Sequence, residues 1–266
     1  MSRFLLLISV LLFCGSVIAV NLPEHVVYRI DDRPPSEIFA NGFQSYGTND
    51  NVDEHVSGAS IRDRSSAWIA TTDNIDTASR IGTARFNLNP SLRNRASWVY
   101  EIAQTNNMYD FNRTIDNERT RWFLGAEARE HLDALRTVYG PQREIGALRS
   151  VLPNQIVRAR QFLWDPISGR GQLTGEWTDN PNYNENLYRN TSMNAGLYRF
   201  SRSVHYVIGA ANTAIFLAAS WCLGQGSSKG RSDNQAICGD SELIEYKDTE
   251  VLMSQSARTN YFPNEL

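Results

Sequence analysis

Three side chains in this sequence stand where their chemistry is costly or specific. Arg29 sits inside Val26-Val27-Tyr28-Arg29-Ile30, whose other members are β-branched or aromatic and read as a strand. A guanidinium in a strand is expensive unless an anion meets it, and its fork fits phosphate or carboxylate oxygens. Glu144 lies two residues after Gln142. Residues two apart on a strand face the same way, so both can reach one site. A carboxylate there can accept a hydrogen bond from a hydroxyl and face positive charge that develops in a transition state. His55 is one of four histidines. Imidazole titrates near neutral pH, which suits it to take a proton from a nucleophile or to hold a hydroxyl. Each has a plainer reading alone: a salt-bridge arginine, a surface glutamate, a loop histidine. Glu127 and Glu130 flank Arg129 in a helical pattern and read as a solvated face.

The elements that must position these groups follow from local pattern. After the strand the chain breaks at Pro34-Pro35, and Gly42 is placed to end a helix, which predicts a short helix over Ser36 to Asn41. Residues 44–64 are rich in Gly, Asn, Asp and Ser and read as a polar loop that carries His55. Ser66 to Thr72 reads as a strand. Residues 73–86 read as a helix capped by Asp73, with Ile75, Ala78 and Ile81 at helical spacing. A loop over 87–95 precedes a strand over Ala96 to Ala103. Glu118 to Tyr139 reads as one helix, with Trp122, Leu124, Ala128, Leu132 and Leu135 on one face. Glu144 to Leu148 and Ile156 to Trp164 read as strands, and Gly169 to Trp177 closes a hairpin.

Lys and Arg number 26 against 29 Asp and Glu. That near balance leaves no basic footprint for nucleic acid. Residues 1–19 read as a secretory signal, with Arg3 at the start, an apolar run from Phe4 to Phe13, and small residues at Val17-Ile18-Ala19. The run falls short of the ~20 residues that span a bilayer. Of three cysteines, Cys14 leaves with the signal. Cys222 and Cys238 remain, an even pair in an exported chain, and are expected to form a disulfide. A closed loop of ~15 residues stabilises by roughly 3 kcal/mol in the chain-entropy model. No CxxC or neighbouring His pair points to a metal. Tyr206 to Leu223 is the most apolar run of the mature chain but contains Asn212 and Thr213. It reads as a buried helix, with contact to a membrane or a partner as the alternative. Residues 239–266 form a tail whose Pro263-Asn264-Glu265-Leu266 end only partly matches an ER-retrieval signal.

The stretch from Val26 to Phe43 resembles the N-terminal segment of the pertussis-toxin-like ADP-ribosyltransferases, the catalytic A subunits of AB5 toxins. The resemblance continues, in family order, at Asn49 to Gly58, Ser66 to Thr72, Trp98 to Ile102, Asn106 to Tyr109, Gln142-Arg143-Glu144 and Leu152 to Ile156. It implies an α+β ADP-ribosyltransferase toxin fold, with two small, mostly antiparallel sheets around an NAD cleft. The transferase domain would span 20–205, and a C-terminal extension over 206–266 would dock on a pentamer of B subunits.

The resemblance also implies the chemistry. The bond between ribose and nicotinamide in NAD breaks through an oxocarbenium-like transition state. Arg29 would hold the pyrophosphate, Glu144 would bond a ribose hydroxyl and face the cation, and His55 would hold a hydroxyl or take a proton. Tyr46 would line the nicotinamide pocket, Tyr28 and Asp31 would shape the adenosine side, and Thr71 and Thr72 would belong to the back wall. Gln142 in place of a glutamate goes with a non-arginine acceptor. The implied protein is a secreted transferase that modifies a host protein, foremost a heterotrimeric G-protein α subunit. The rivals are an NAD glycohydrolase, and a delivery subunit with impaired catalysis. One departure favours the last. Ala70 stands where relatives carry the first serine of Ser-Thr-Ser, which would fix the glutamate. A second is Ile61, near the position of a relative's redox cysteine.

Overall fold

The computed structural model describes residues 22–201. The expected signal over 1–19, the apolar run over 206–223, the docking extension over 206–266, Cys222, Cys238 and the Pro263–Leu266 tail lie outside the described residues.

The β-branched and aromatic stretches form strands, all paired antiparallel. In chain order these are β1 (Val26–Asp31), β2 (Phe43–Gln44), β3 (Trp68–Thr72), β4 (Ser97–Ala103), β5 (Met108–Asp110), β6 (Glu144–Leu148), β7 (Ser150–Val151), β8 (Ile156–Asp165) and β9 (Arg170–Asp179). One ladder runs β5-β6-β3-β1-β4-β8-β9, and β2 pairs with β7 separately. The ladder is very uneven. Six register pairs join β1 to β4 and five join β3 to β6, whereas Tyr28–Thr72 alone joins β1 to β3. The structure thus holds two half-sheets, β5-β6-β3 and β1-β4-β8-β9, that touch at one point and part beyond it. That is the expected layout of two small sheets with a cleft between them.

Helix α1 (Pro35–Asn41) begins with proline in its first turn and ends at Gly42, whose φ of 66° only glycine adopts without strain. Helix α4 (Ile75–Leu88) packs on one face, where Ala78, Ile81 and Phe86 meet Ile30, Val99 and Phe162. Its cap is Asn74, whose side chain accepts from Thr77 N, and not Asp73.

Three helical expectations need correction. The supposed loop over 44–64 contains α2 (Val52–Val56) and α3 (Ala59–Arg62). Asn51 caps α2 by accepting from Asp53 N and Glu54 N, which lets a five-residue helix form. The single helix expected over Glu118 to Tyr139 is two, α5 (Phe111–Arg119) and α6 (Ala126–Tyr139). Asp110 caps the first and Gly125 opens the second, so the intervening turn leaves Trp122 88% exposed, off the predicted apolar face. The loop over 87–95 holds a short 3-10 helix, Pro90–Asn94. A four-residue helix, α7 (Glu185–Tyr188), closes the described part of the chain, and Tyr188 packs with Ala103 and Val157. Helices α2, α5 and α6 share a core in which Val52, Val56, Phe111, Leu132 and Leu135 pack around Trp68.

Candidate active site

Where β1 and β3 part, an open recess forms, lined by Arg29, Gln44, Ser45, Tyr46, His55, Ile61, Ser66, Trp68, Ile69 and Ala70. Residues from α2, β1, β3 and the loop after β2 therefore converge as the motifs required.

His55 joins the recess to Glu144. Its Nε2 lies 2.9 Å from Glu144 Oε1, and its Nδ1 lies 2.7 Å from Ser66 Oγ. Ser66 Oγ also accepts from the backbone N–H of Trp68 at 3.1 Å. The Glu144 carboxylate only accepts, so Nε2 carries the proton that it donates there, and Nδ1 of the neutral ring accepts from the Ser66 hydroxyl. Both ring nitrogens are engaged, Nδ1 by Ser66 and Nε2 by Glu144. His55 is 2% exposed and Glu144 7%. The ring packs edge-on against Phe111, with centroids 5.6 Å apart.

Glu144 opens β6 in register with Thr72. Arg143 before it adopts a left-handed conformation, φ 51°, and Gln142 ends a 3-10 turn, Gly140–Gln142. Two-residue alternation does not run through that corner, so the same-face argument for Gln142 fails. Gln142 is buried beside the site and takes its place from the turn. Arg143 holds the corner by donating from Nε and NH2 to the two carboxylate oxygens of Asp73, at 2.6 and 2.8 Å.

Arg29 faces the recess but is fully buried. It donates from NH1 to Ala70 O at 2.7 Å, and its Nε lies 3.6 Å from Asp31 Oδ2. Its guanidinium carbon sits 5.2 Å from the Phe43 ring centroid. The side chain lines the recess and, through Ala70 O, spans the gap between the half-sheets. Burial lowers its pKa, and Asp31 opposes that shift. Asp31 is also fully buried, held by Arg33 through Nε at 2.9 Å and NH2 at 3.0 Å, and so is not placed to touch adenosine. Burial would raise the Asp31 carboxyl, but Arg33 and Arg29 outweigh that and hold it below its ordinary value.

The remaining expected contacts divide. Tyr46 lines the recess, and the Arg64 guanidinium carbon lies 5.0 Å from its ring centroid. Burial pushes the Tyr46 hydroxyl up to about 12, which Arg64 only partly offsets. Tyr28 lies away from Arg29, because alternation along β1 turns it to the α4 face, where it packs with that core. Thr71 is fully buried and donates to Ile145 O at 2.5 Å. The Thr72 hydroxyl accepts from Asn74 N. Neither threonine replaces the serine missing at position 70; His55 holds the glutamate, and Ala70 contributes its carbonyl to Arg29.

Sequence reasoning missed Ser66 and two pairs around the site, Asp73–Arg143 and Asp53–His131. The Asn51-x-x-Glu54 pattern signals the start of α2 and would have placed His55 on a helix. The ion pairs have no sequence signature.

A family model described as pertussis toxin, subunit 1 matches residues 22–215. The chain belongs to this family. Pertussis toxin subunit 1 of Bordetella pertussis is 28% identical over 213 residues, 70% of each chain. Its homolog in Bordetella bronchiseptica matches to the same extent. The solved structure of EcPltA is similar at 28% identity and a TM-score of 0.54, covering 67% of this chain and 97% of that one. The resemblance to the pertussis-toxin-like ADP-ribosyltransferases and the α+β transferase fold are borne out.

Proposed function

We propose that this protein of the pertussis toxin subunit 1 family is an exported mono-ADP-ribosyltransferase that moves ADP-ribose from NAD to a host protein. The observation that carries this reading is the His55–Glu144 contact of 2.9 Å at the recess that Arg29 braces. The carboxylate accepts a hydrogen bond from the ribose 2′-hydroxyl and faces the cation that forms as the C1′–N bond breaks. Nicotinamide leaves with the bonding electron pair. The acceptor then bonds to C1′ and gives up its proton to solvent. His55 holds Glu144 in the orientation this needs, and Tyr46 offers a ring face to nicotinamide. Gln142 in place of glutamate favours a non-arginine acceptor, and the family resemblance favours a heterotrimeric G-protein α subunit as the target. Delivery by a B pentamer that docks the C-terminal extension completes the proposal.

The test is label transfer with biotin-tagged NAD and mammalian lysate, with reduced and unreduced protein beside Glu144→Ala. A discrete band near the size of a G-protein α subunit, absent from the variant, is expected. Nicotinamide release without a band makes water the acceptor, and the absence of both overturns the reading.

A further inference from the structure

Helix α2 is only five residues long, and a helix that short has no stability of its own. Its orientation, and so that of His55, comes from contacts. One is polar and partly buried. Asp53 is 0% exposed, and His131 Nε2 on α6 lies 2.8 Å from its Oδ1. Asp53 and His55 are two apart, so they leave α2 in different directions, Asp53 to α6 and His55 to Glu144 on β6. Helix α6 itself ends at Tyr139, five residues before Glu144. Tyr139 is buried at this junction, and its hydroxyl is pushed up by burial and by the carboxylates of Glu144 and Asp53.

We infer that Asp53 and His131 are positioning residues, which lock α2 to α6 so that the His55 imidazole meets the Glu144 carboxylate. The histidine and the glutamate are then set by one closed loop of contacts: α6 to Asp53, α2 to His55, His55 to Glu144, and the chain from Glu144 back to α6. Misplacing such a pair by about 1 Å costs up to ~100-fold in rate.

The inference rests on the transferase reading for its rates but not for its geometry, so both are measured on the full mature chain. The variants are His131→Ala, His131→Gln, whose amide can still donate to Asp53, and Asp133→Ala, a change on the same helix as His131 that removes an exposed ion pair with Arg119 of α5. In the wild type, the nitrogen-detected NMR spectrum of the His55 ring shows a proton held on Nε2. In His131→Ala that signal is lost or broadened, and NAD turnover falls roughly tenfold or more with KM for NAD within about twofold. His131→Gln restores both, and Asp133→Ala changes neither. An unchanged His55 signal in His131→Ala overturns the inference even if the wild type proves inactive. A shifted signal in an inactive wild type upholds the positioning and removes only the transferase reading. Loss of turnover in Asp133→Ala equal to that in His131→Ala would reduce the contact to general helix stability and overturn the inference.

Discussion

His55 Nε2 meets Glu144 Oε1 at 2.9 Å across 89 residues of sequence. The contact joins the two residues that the motifs single out and makes the imidazole the support of the carboxylate. Glu144→Gln keeps the shape and removes the charge. It is expected to lower NAD cleavage by roughly 100-fold or more, with the melting temperature nearly unchanged. Steady-state nicotinamide release checks this.

Ser66→Ala removes the hydroxyl that sits between Trp68 N and His55 Nδ1. The ring then loses the partner that fixes its tautomer, and Trp68 N loses its acceptor. Turnover is expected to fall roughly tenfold, with a smaller change in KM; Ser66→Thr keeps the hydroxyl and recovers part of the rate. A kcat and KM comparison of the three proteins decides it.

Arg29→Lys tests the strut. A lysine at this buried position has one charged centre where the arginine reaches both Ala70 O and Asp31. Breaking a buried pair costs about 3–5 kcal/mol, and retention of the charge should place the loss near the lower end. Urea unfolding measures it, and NAD binding should weaken along with stability because the cleft wall loses its brace.

Gly146 is paired with Ala70, and a methyl group there would lie 2.1 Å from Phe111 Cζ. Gly146→Ala must push aside the ring that packs on His55. A stability loss of roughly 1–3 kcal/mol is expected, as for overpacking elsewhere, together with reduced turnover. Thermal unfolding and nicotinamide release, measured side by side, check both parts.

Glu101 gives a pH signature. Burial raises its carboxyl pKa, and Arg158 only partly offsets this. The folded state therefore holds this proton more tightly than the unfolded state, whose value is about 4.3. Stability from this group is fully present below that value and declines as pH rises through the folded pKa. Glu101→Gln removes the titration. It is expected to be at least as stable as the wild type at pH 7, despite the lost ion pair, and to lose that relative advantage by pH 4. Thermal midpoints across this range give the answer.

Much of this was legible in the chain. Strands rich in β-branched and aromatic residues, such as β1, β3 and β4, announce themselves, and Pro35 with Gly42 brackets α1. The motifs brought Arg29, His55 and Glu144 to one place. Helices of four and five residues have too few turns to show a period, so α2 and α3 were hidden. The left-handed Arg143 broke the alternation on which the placement of Gln142 relied. Full burial of Arg29 depends on Phe43 and Ala70 arriving from elsewhere in the fold, which no local pattern records.

The lone Tyr28–Thr72 pairing has a mechanical meaning. Backbone ladders run through each half-sheet, but between the two the backbone is paired at one point only. What holds them there is side chains: the arginine that reaches from β1 to Ala70, and an apolar core that Val27, Tyr100 and Ile102 share with Ile69, Met108 and Ile145. A disturbance on β8 therefore travels to Glu144 on the other half-sheet through packed side chains, not through a hydrogen-bonded ladder.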